Sequence, residues 1–151
     1  MSMHLLAAPH RLQEEDAGCL AACAQTVLSY WGIEQTQTRL NLLLGLTSIG
    51  VPFRKIQRLS AFGVSVSLQT GGKPDLCDAI DHKLPPILFV MTGHLPYWQD
   101  NTSHAVVMVG YDDAGALLAD PLFADAPQRV GWEALLLAWS EHDYTFALVT
   151  R

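Results

Sequence analysis

Three reactive residues stand at the ends of apolar segments. Cys19 opens the run Cys19–Trp31 (CLAACAQTVLSYW), His104 opens His104–Tyr111 (HAVVMVGY), and Asp120 closes the segment that follows, in Asp120-Pro121. A thiol attacks as its thiolate. An imidazole beside it can take the proton and later return it to a leaving group. A carboxylate can fix the imidazole and stabilise its cation. The chemistry of the three together is acyl transfer through a thioester. Each residue alone also has a plainer reading. Cys19 can be a small apolar helix residue like Cys23, His104 can meet a backbone carbonyl at a strand end, and Asp120 can be a turn carboxylate before proline. Gln13 lies six positions ahead of Cys19. A side-chain amide there can donate to an oxyanion beside the Cys19 main-chain N–H, or it can be an exposed Gln next to Glu14 and Glu15.

The elements around these residues must bring them together. Leu20, Cys23, Ala24, Val27, Leu28 and Trp31 recur at helical spacing, so the run from Cys19 to Trp31 is a helix with one buried face, stopped by Gly32. The first turn of a helix carries unpaired N–H groups and the positive end of the dipole, a favourable place for an anion. Further helices are predicted over Thr36–Leu44, ending at Gly45, and over Pro52–Phe62, ending at Gly63. Beyond that point the pattern turns to strands: Val64–Leu68, Pro86–Met91, His104–Tyr111, Ala116–Ala119 and Tyr144–Thr150. Short helices are expected at Asp75–His82 and Trp132–Trp139. Helices first and an antiparallel sheet second describe an α+β domain. The turn signal Asp112-Asp113-Ala114-Gly115 makes a hairpin of the two strands beside it. Pairing outward from that turn brings His104 and Asp120 to one end of the sheet. His94, Tyr97 and Trp98, in the loop before His104, can wall a cleft or anchor their own loop.

Taken in order, these motifs resemble the papain-like cysteine peptidases, and among them the stand-alone members of the bacteriocin-processing, double-glycine leader peptidase family. The matching residues are Gln13, Cys19, Tyr30-Trp31-Gly32, the His104 strand and Asp120-Pro121, with further likeness at Gly93–Trp98 and in the Trp132–Trp139 segment. The resemblance spans about residues 12–150. It implies a papain-like fold, with N-terminal helices packed on an antiparallel sheet and the site between them. It also implies Cys19 as nucleophile, His104 as general base and acid, Asp120 as its orienter, and Gln13 in the oxyanion hole. One departure stands out. Transporter-fused members carry Asp-Cys-Gly, whereas here Leu20 follows Cys19 and Gly18 precedes it. Aligning Asp16-Ala17-Gly18 on that motif would put Ala17 in place of the nucleophile and make an inactive protein. The Gln-to-Cys and Cys-to-Gly32 spacings favour Cys19.

The expected activity is therefore that of a cysteine peptidase acting on a peptide or protein substrate. The alternatives are an acyltransferase or deamidase on the same three residues, or a catalytically silent peptide-binding module. Other chemistry finds little support. Six His and three Cys form no CxxC, HExxH or HxxxH pattern, so no metal is expected, and the thioester route needs no cofactor. GxSxG is absent, and Gly71-Gly72-Lys73 lacks the rest of a phosphate loop. With 151 residues, one domain over 1–151 is expected. Half of the residues are apolar and 16% are charged, which excludes disorder. The net charge of -6, with scattered Lys and Arg, argues against nucleic acid as a partner. No apolar stretch approaches the ~20 residues of a membrane span. The N-terminus lacks a secretory signal, and an odd number of cysteines fits the cytoplasm. A protein partner that selects substrate is compatible with so small a chain.

Overall fold

The computed structural model describes residues 4–151; the first three residues of the N-terminal segment read above for a signal lie outside the described residues. The elements run β1 (His4–Leu5), α1 (Cys19–Tyr30), α2 (Gln37–Leu44), a 3-10 helix (Phe53–Phe62), β2 (Ser65–Thr70), α3 (Lys73–Asp81), β3 (Ile87–Met91), β4 (Ser103–Tyr111), β5 (Gly115–Ala119), β6 (Gln128–Gly131), α4 (Trp132–Ser140) and β7 (Thr145–Thr150). The strands form one antiparallel sheet in the order β2-β7-β3-β4-β5-β6, with β1 paired to β4.

Helices cover both faces of this sheet. In β3, Ile87 and Phe89 pack with α1 and α2, while Leu88 and Val90 pack with α3 and α4. A strand buried on both sides reads as a continuous apolar run rather than an alternation. That is why the segments at 86–91 and 105–110 are apolar throughout. The N-terminal helices lie on one face as expected, and the other face is sealed by Leu76 and Ile80 of α3 and by Trp139 of α4.

Helix ends follow local chemistry. Thr36 caps α2 by accepting the Arg39 N–H at 3.2 Å, and Gly45 closes it with φ 78°. The segment Phe53–Phe62 is a 3-10 helix rather than the α-helix that a 3.6-residue reading suggests. Its apolar residues Phe53, Ile56, Leu59 and Phe62 recur every third position, which is the 3-10 repeat. Helix α3 begins two residues earlier than its composition indicated. Pro74 is tolerated in the first turn, and the Asp75 carboxylate accepts the Gly72 N–H at 2.7 Å. Strand β6 was not legible in the sequence: of its four residues only Val130 is buried. Pairing with β5 and a bidentate ion pair of Arg129 with Asp112 hold it.

The β4–β5 hairpin sets the geometry of the site. Tyr111 pairs with Ala116 and Gly110 with Leu117, then Met108 with Leu118 and Val107 with Ala119, so Val109 is an extra residue in the ladder. Side chains alternate between faces, so one inserted residue reverses the faces for everything beyond it. Continued by one step, this register sets Asp120 opposite Val106, on the face that His104 shares. Were Val109 paired in a regular ladder instead, Asp120 would fall opposite Val107 and face the other layer.

Gly115, where β5 begins, is required by close approach. A Cβ there would lie 2.8 Å from the Val130 carbonyl carbon and 2.9 Å from the Gly131 Cα, so β6 would have to move. Gly115→Ala is expected to lower stability by about 1–3 kcal/mol. Urea unfolding checks this, and an unchanged midpoint would mean that β6 yields freely.

Candidate active site

Helix α1 starts at Cys19 because the chain turns sharply just before it. Gly18 donates its N–H to the Glu15 carbonyl at 2.9 Å, and no side chain caps the helix. Its first N–H groups are therefore not taken by a capping group, and Cys19 sits half-buried among them. One turn on, Cys23 is 1% exposed. Burial pushes its thiol well above the ordinary range, and Cys19 and Asp120 push the same way. Cys23 is thus a core residue. Cys77 lies on α3, outside the cleft.

His104 is 4% exposed and Asp120 is fully buried. The His104 Nε2 donates to Asp120 Oδ1 at 2.7 Å, so Nδ1 is the ring nitrogen that the carboxylate does not engage. Burial pulls the imidazole pKa down. The acceptors Asp120 and Cys19 more than offset that, and it is pushed up to about 9. Burial raises the Asp120 pKa, but His104, Trp98 and the Leu122 N–H together hold it below the ordinary carboxylate value.

Asp120 accepts three further bonds. The Leu122 N–H donates to Oδ1 at 3.0 Å, and the Tyr97 hydroxyl and Trp98 indole donate to Oδ2 at 2.7 and 2.8 Å. The Trp98 ring also stands edge-on to His104, with centroids 4.8 Å apart. Cys19, His104, Trp98 and Gln13 line one cleft of about 270 Å³, beneath an overhanging turn at Ser48–Val51. Gln13 reaches this cleft, but both of its amide N–H groups are engaged elsewhere. Nε2 donates to the Glu15 and Asp16 carbonyls at 3.0 and 2.8 Å, and Oε1 is buried without a partner. Ala17 belongs to the turn before the helix, so Cys19 is the thiol that shares the cleft with His104.

The peptidase C39 family profile matches residues 7–147. The chain belongs to the peptidase C39 family. Solved structures share the fold. A C39-like peptidase from Bacillus anthracis superposes with TM-score 0.81 at 17% identity, covering 100% of this chain and 98% of that one. The peptidase domain of Streptococcus ComA, a bifunctional ABC transporter involved in quorum sensing, gives 0.78 at 17%, covering 93% and 96%. The double-glycine motif protease of an AMS/PCAT transporter, solved with its leader peptide, gives 0.75 at 17%, covering 97% and 93%. No curated protein matches the chain. These likenesses establish a papain-like arrangement of helices on an antiparallel sheet for this C39 domain. Among its described residues no helix is long and apolar enough to cross a membrane, and no three His, Cys, Asp or Glu side chains gather as a metal site.

The C39 domain uses Tyr97 and Trp98 in a way the sequence left open. Trp98 does wall the cleft, yet both residues also secure the Asp120 carboxylate. A signal was available, because a buried carboxylate must find donors, and a Tyr-Trp pair in the loop before His104 can supply two. Thr92 closes that loop: its hydroxyl donates to the Asp100 carbonyl at 2.6 Å and accepts the Thr102 N–H at 2.9 Å. His94 stays outside the site, beside Glu141.

The His104–Asp120 pair links stability to pH in a definite direction. A histidine whose folded pKa is raised stabilises fully below its unfolded value, about 6.5, and loses that contribution as pH rises through about 9. The lowered Asp120 contributes above its ordinary value and loses the contribution as pH falls through the depressed one. The stability gap between wild type and Asp120→Asn is therefore expected to be widest from roughly pH 4 to 6.5 and to narrow toward pH 9. Urea melts across that range measure it, and a gap constant from pH 6 to 10 would show His104 neutral throughout.

Proposed function

We propose that this C39 domain hydrolyses a peptide bond through a thioester, with Cys19, His104 and Asp120 as the catalytic residues. The observation that carries this reading is that His104, bonded to the buried Asp120, lines the same cleft as Cys19. Cys19 Sγ, its proton already held by His104, bonds to the carbonyl carbon. The carbonyl oxygen becomes an oxyanion, held by the Cys19 main-chain N–H and by Gln13. Collapse breaks the C–N bond, and His104 returns the proton to the departing amine. Water then attacks the thioester, His104 takes its proton, and the acid leaves as the thiol is restored.

Asp120 holds the ring throughout and sustains its cation whenever His104 carries the proton. Gln13 enters this scheme by exchanging its longer bond, to Glu15, for the oxyanion. With no partner on Oε1, its amide plane is held only through the two N–H bonds. The leader peptide on the transporter protease of like fold supports a peptide as the occupant. The three cysteines are unpaired, which suits a reducing compartment such as the cytoplasm.

Iodoacetamide tests the reading without a known substrate. At pH 6, alkylation is expected at Cys19 ahead of Cys23 and Cys77, and His104→Ala slows it by about tenfold or more. Intact mass and peptide mapping report the site and the rate. A Cys19 no faster than an ordinary thiol would favour the silent binding module. Once a peptide library yields a substrate, Cys19→Ala is expected to reduce turnover by at least about 10³-fold with the fold intact. A full-rate Cys19→Ala would end the proposal. Released ammonia or a modified amine in place of a cleaved peptide would assign the deamidase or acyltransferase.

A further inference from the structure

Gln37, the first residue of α2, is 2% exposed and faces the segment that leads to Cys19. Its Nε2 donates to the Leu12 carbonyl at 2.7 Å, and its Oε1 accepts the Glu14 N–H at 2.9 Å. The remaining Nε2 hydrogen goes to Gln25 Oε1 on α1 at 2.9 Å, and Gln25 in turn donates to the Gln35 carbonyl at 2.9 Å. Between the two groups held by Gln37 stands the Gln13 N–H, which donates to the Pro121 carbonyl at 2.8 Å, one residue beyond Asp120. The His10 ring meets the Phe123 carbonyl at 2.7 Å and fastens the same segment further back. Main-chain groups on both sides of the Gln13 Cα are thus fixed, and only its side-chain torsions remain free.

We propose that Gln37 is a positioning residue for the oxyanion side of the site, acting through Gln13. This rests on the reading of Gln13 as an oxyanion donor. The requirement is chemically narrow. Holding Leu12 and Glu14 together takes a donor and an acceptor on one planar group, with a second donor for Gln25. Glutamine supplies all three at this reach; Glu lacks the donors, and Leu or Met lacks both kinds of group. Buried and fully partnered, such a group fixes one geometry, because any displacement leaves a polar atom unpaired. An oxyanion donor is effective only when it is already in place as charge develops.

The test compares two reagents on Cys19 of the full chain. Iodoacetamide alkylates sulfur by direct displacement and forms no oxyanion, whereas p-nitrophenyl acetate acylates it through a tetrahedral oxyanion. Gln37→Met is expected to slow acylation by about tenfold or more while alkylation at pH 6 stays within about twofold of wild type. Gln25→Met, which frees one Nε2 hydrogen of Gln37, is expected to give a smaller loss of the same kind, and it decides the matter if Gln37→Met does not fold. Gln13→Ala serves as reference: it slows acylation selectively, and adding Gln37→Met to it slows acylation no further.

Equal slowing of both reagents by Gln37→Met and Gln25→Met would reduce Gln37 to a scaffold residue and overturn the proposal. So would acylation unchanged in both variants while Gln13→Ala loses it. If Gln13→Ala itself leaves acylation intact, the oxyanion reading of Gln13 fails, and the role of Gln37 fails with it.

Discussion

A carboxylate removed from water stays ionised only if protein groups replace its hydration shell. Asp120 meets that condition with four donors drawn from three places: His104 on β4, Tyr97 and Trp98 in the loop before it, and the Leu122 N–H just after it. Much of the surrounding architecture follows from this need. The β3–β4 loop must fold back far enough to present two aromatic donors, so it is closed by Thr92, itself fully buried. The chain after Asp120 must turn at once to offer its N–H. The sheet must deliver His104 and Asp120 to the same face. With the carboxylate satisfied, the buried His104 can hold a proton that burial alone would expel.

The site divides into a rigid side and a side with more freedom. On the sheet, both carboxylate oxygens of Asp120 are bonded, and Trp98 stands edge-on to the imidazole. On the helix side, the backbone through Gln13 is held at Leu12, Gln13 and Glu14, yet the Gln13 amide turns toward the carbonyls of its own loop. In the proposed mechanism, the proton-handling half of the chemistry is built into the resting fold, and the charge-stabilising half waits on one side-chain rearrangement.

Much of this was legible in the sequence, for identifiable reasons. Helix α1 and strands β3 and β4 are long and strongly patterned, and Thr36 and Gly45 mark the ends of α2. Cys19, His104 and Asp120 stood out because reactive residues ended apolar runs, and the hairpin turn at 112–115 brought two of them to one sheet end. What escaped depends on distant partners. Nothing local in Gln128–Gly131 specifies a strand; pairing with β5 does. The 3-10 helix was hidden because a spacing of three is also one of the spacings on an α-helical face. Tyr97, Trp98 and Gln37 were visible as residues, but their roles required knowing which buried groups lacked donors.

The extra residue at Val109 bears on how such a chain can change in length. Asp113 and Ala114, at the tip of the turn, lie outside the ladders, so added residues there need only lengthen a loop. Within the ladder between Val109 and Asp120, parity decides the outcome. A single residue lost from β5 with the bulge kept would set Asp120 opposite Val107, on the face away from His104, whereas loss of Val109 itself would leave Asp120 opposite Val106. The separation of 16 positions between these residues is therefore less a fixed length than a parity attached to a flexible turn. Genetic drift can vary the turn gradually, but a codon deleted from β5 with the bulge retained would separate the imidazole from its carboxylate.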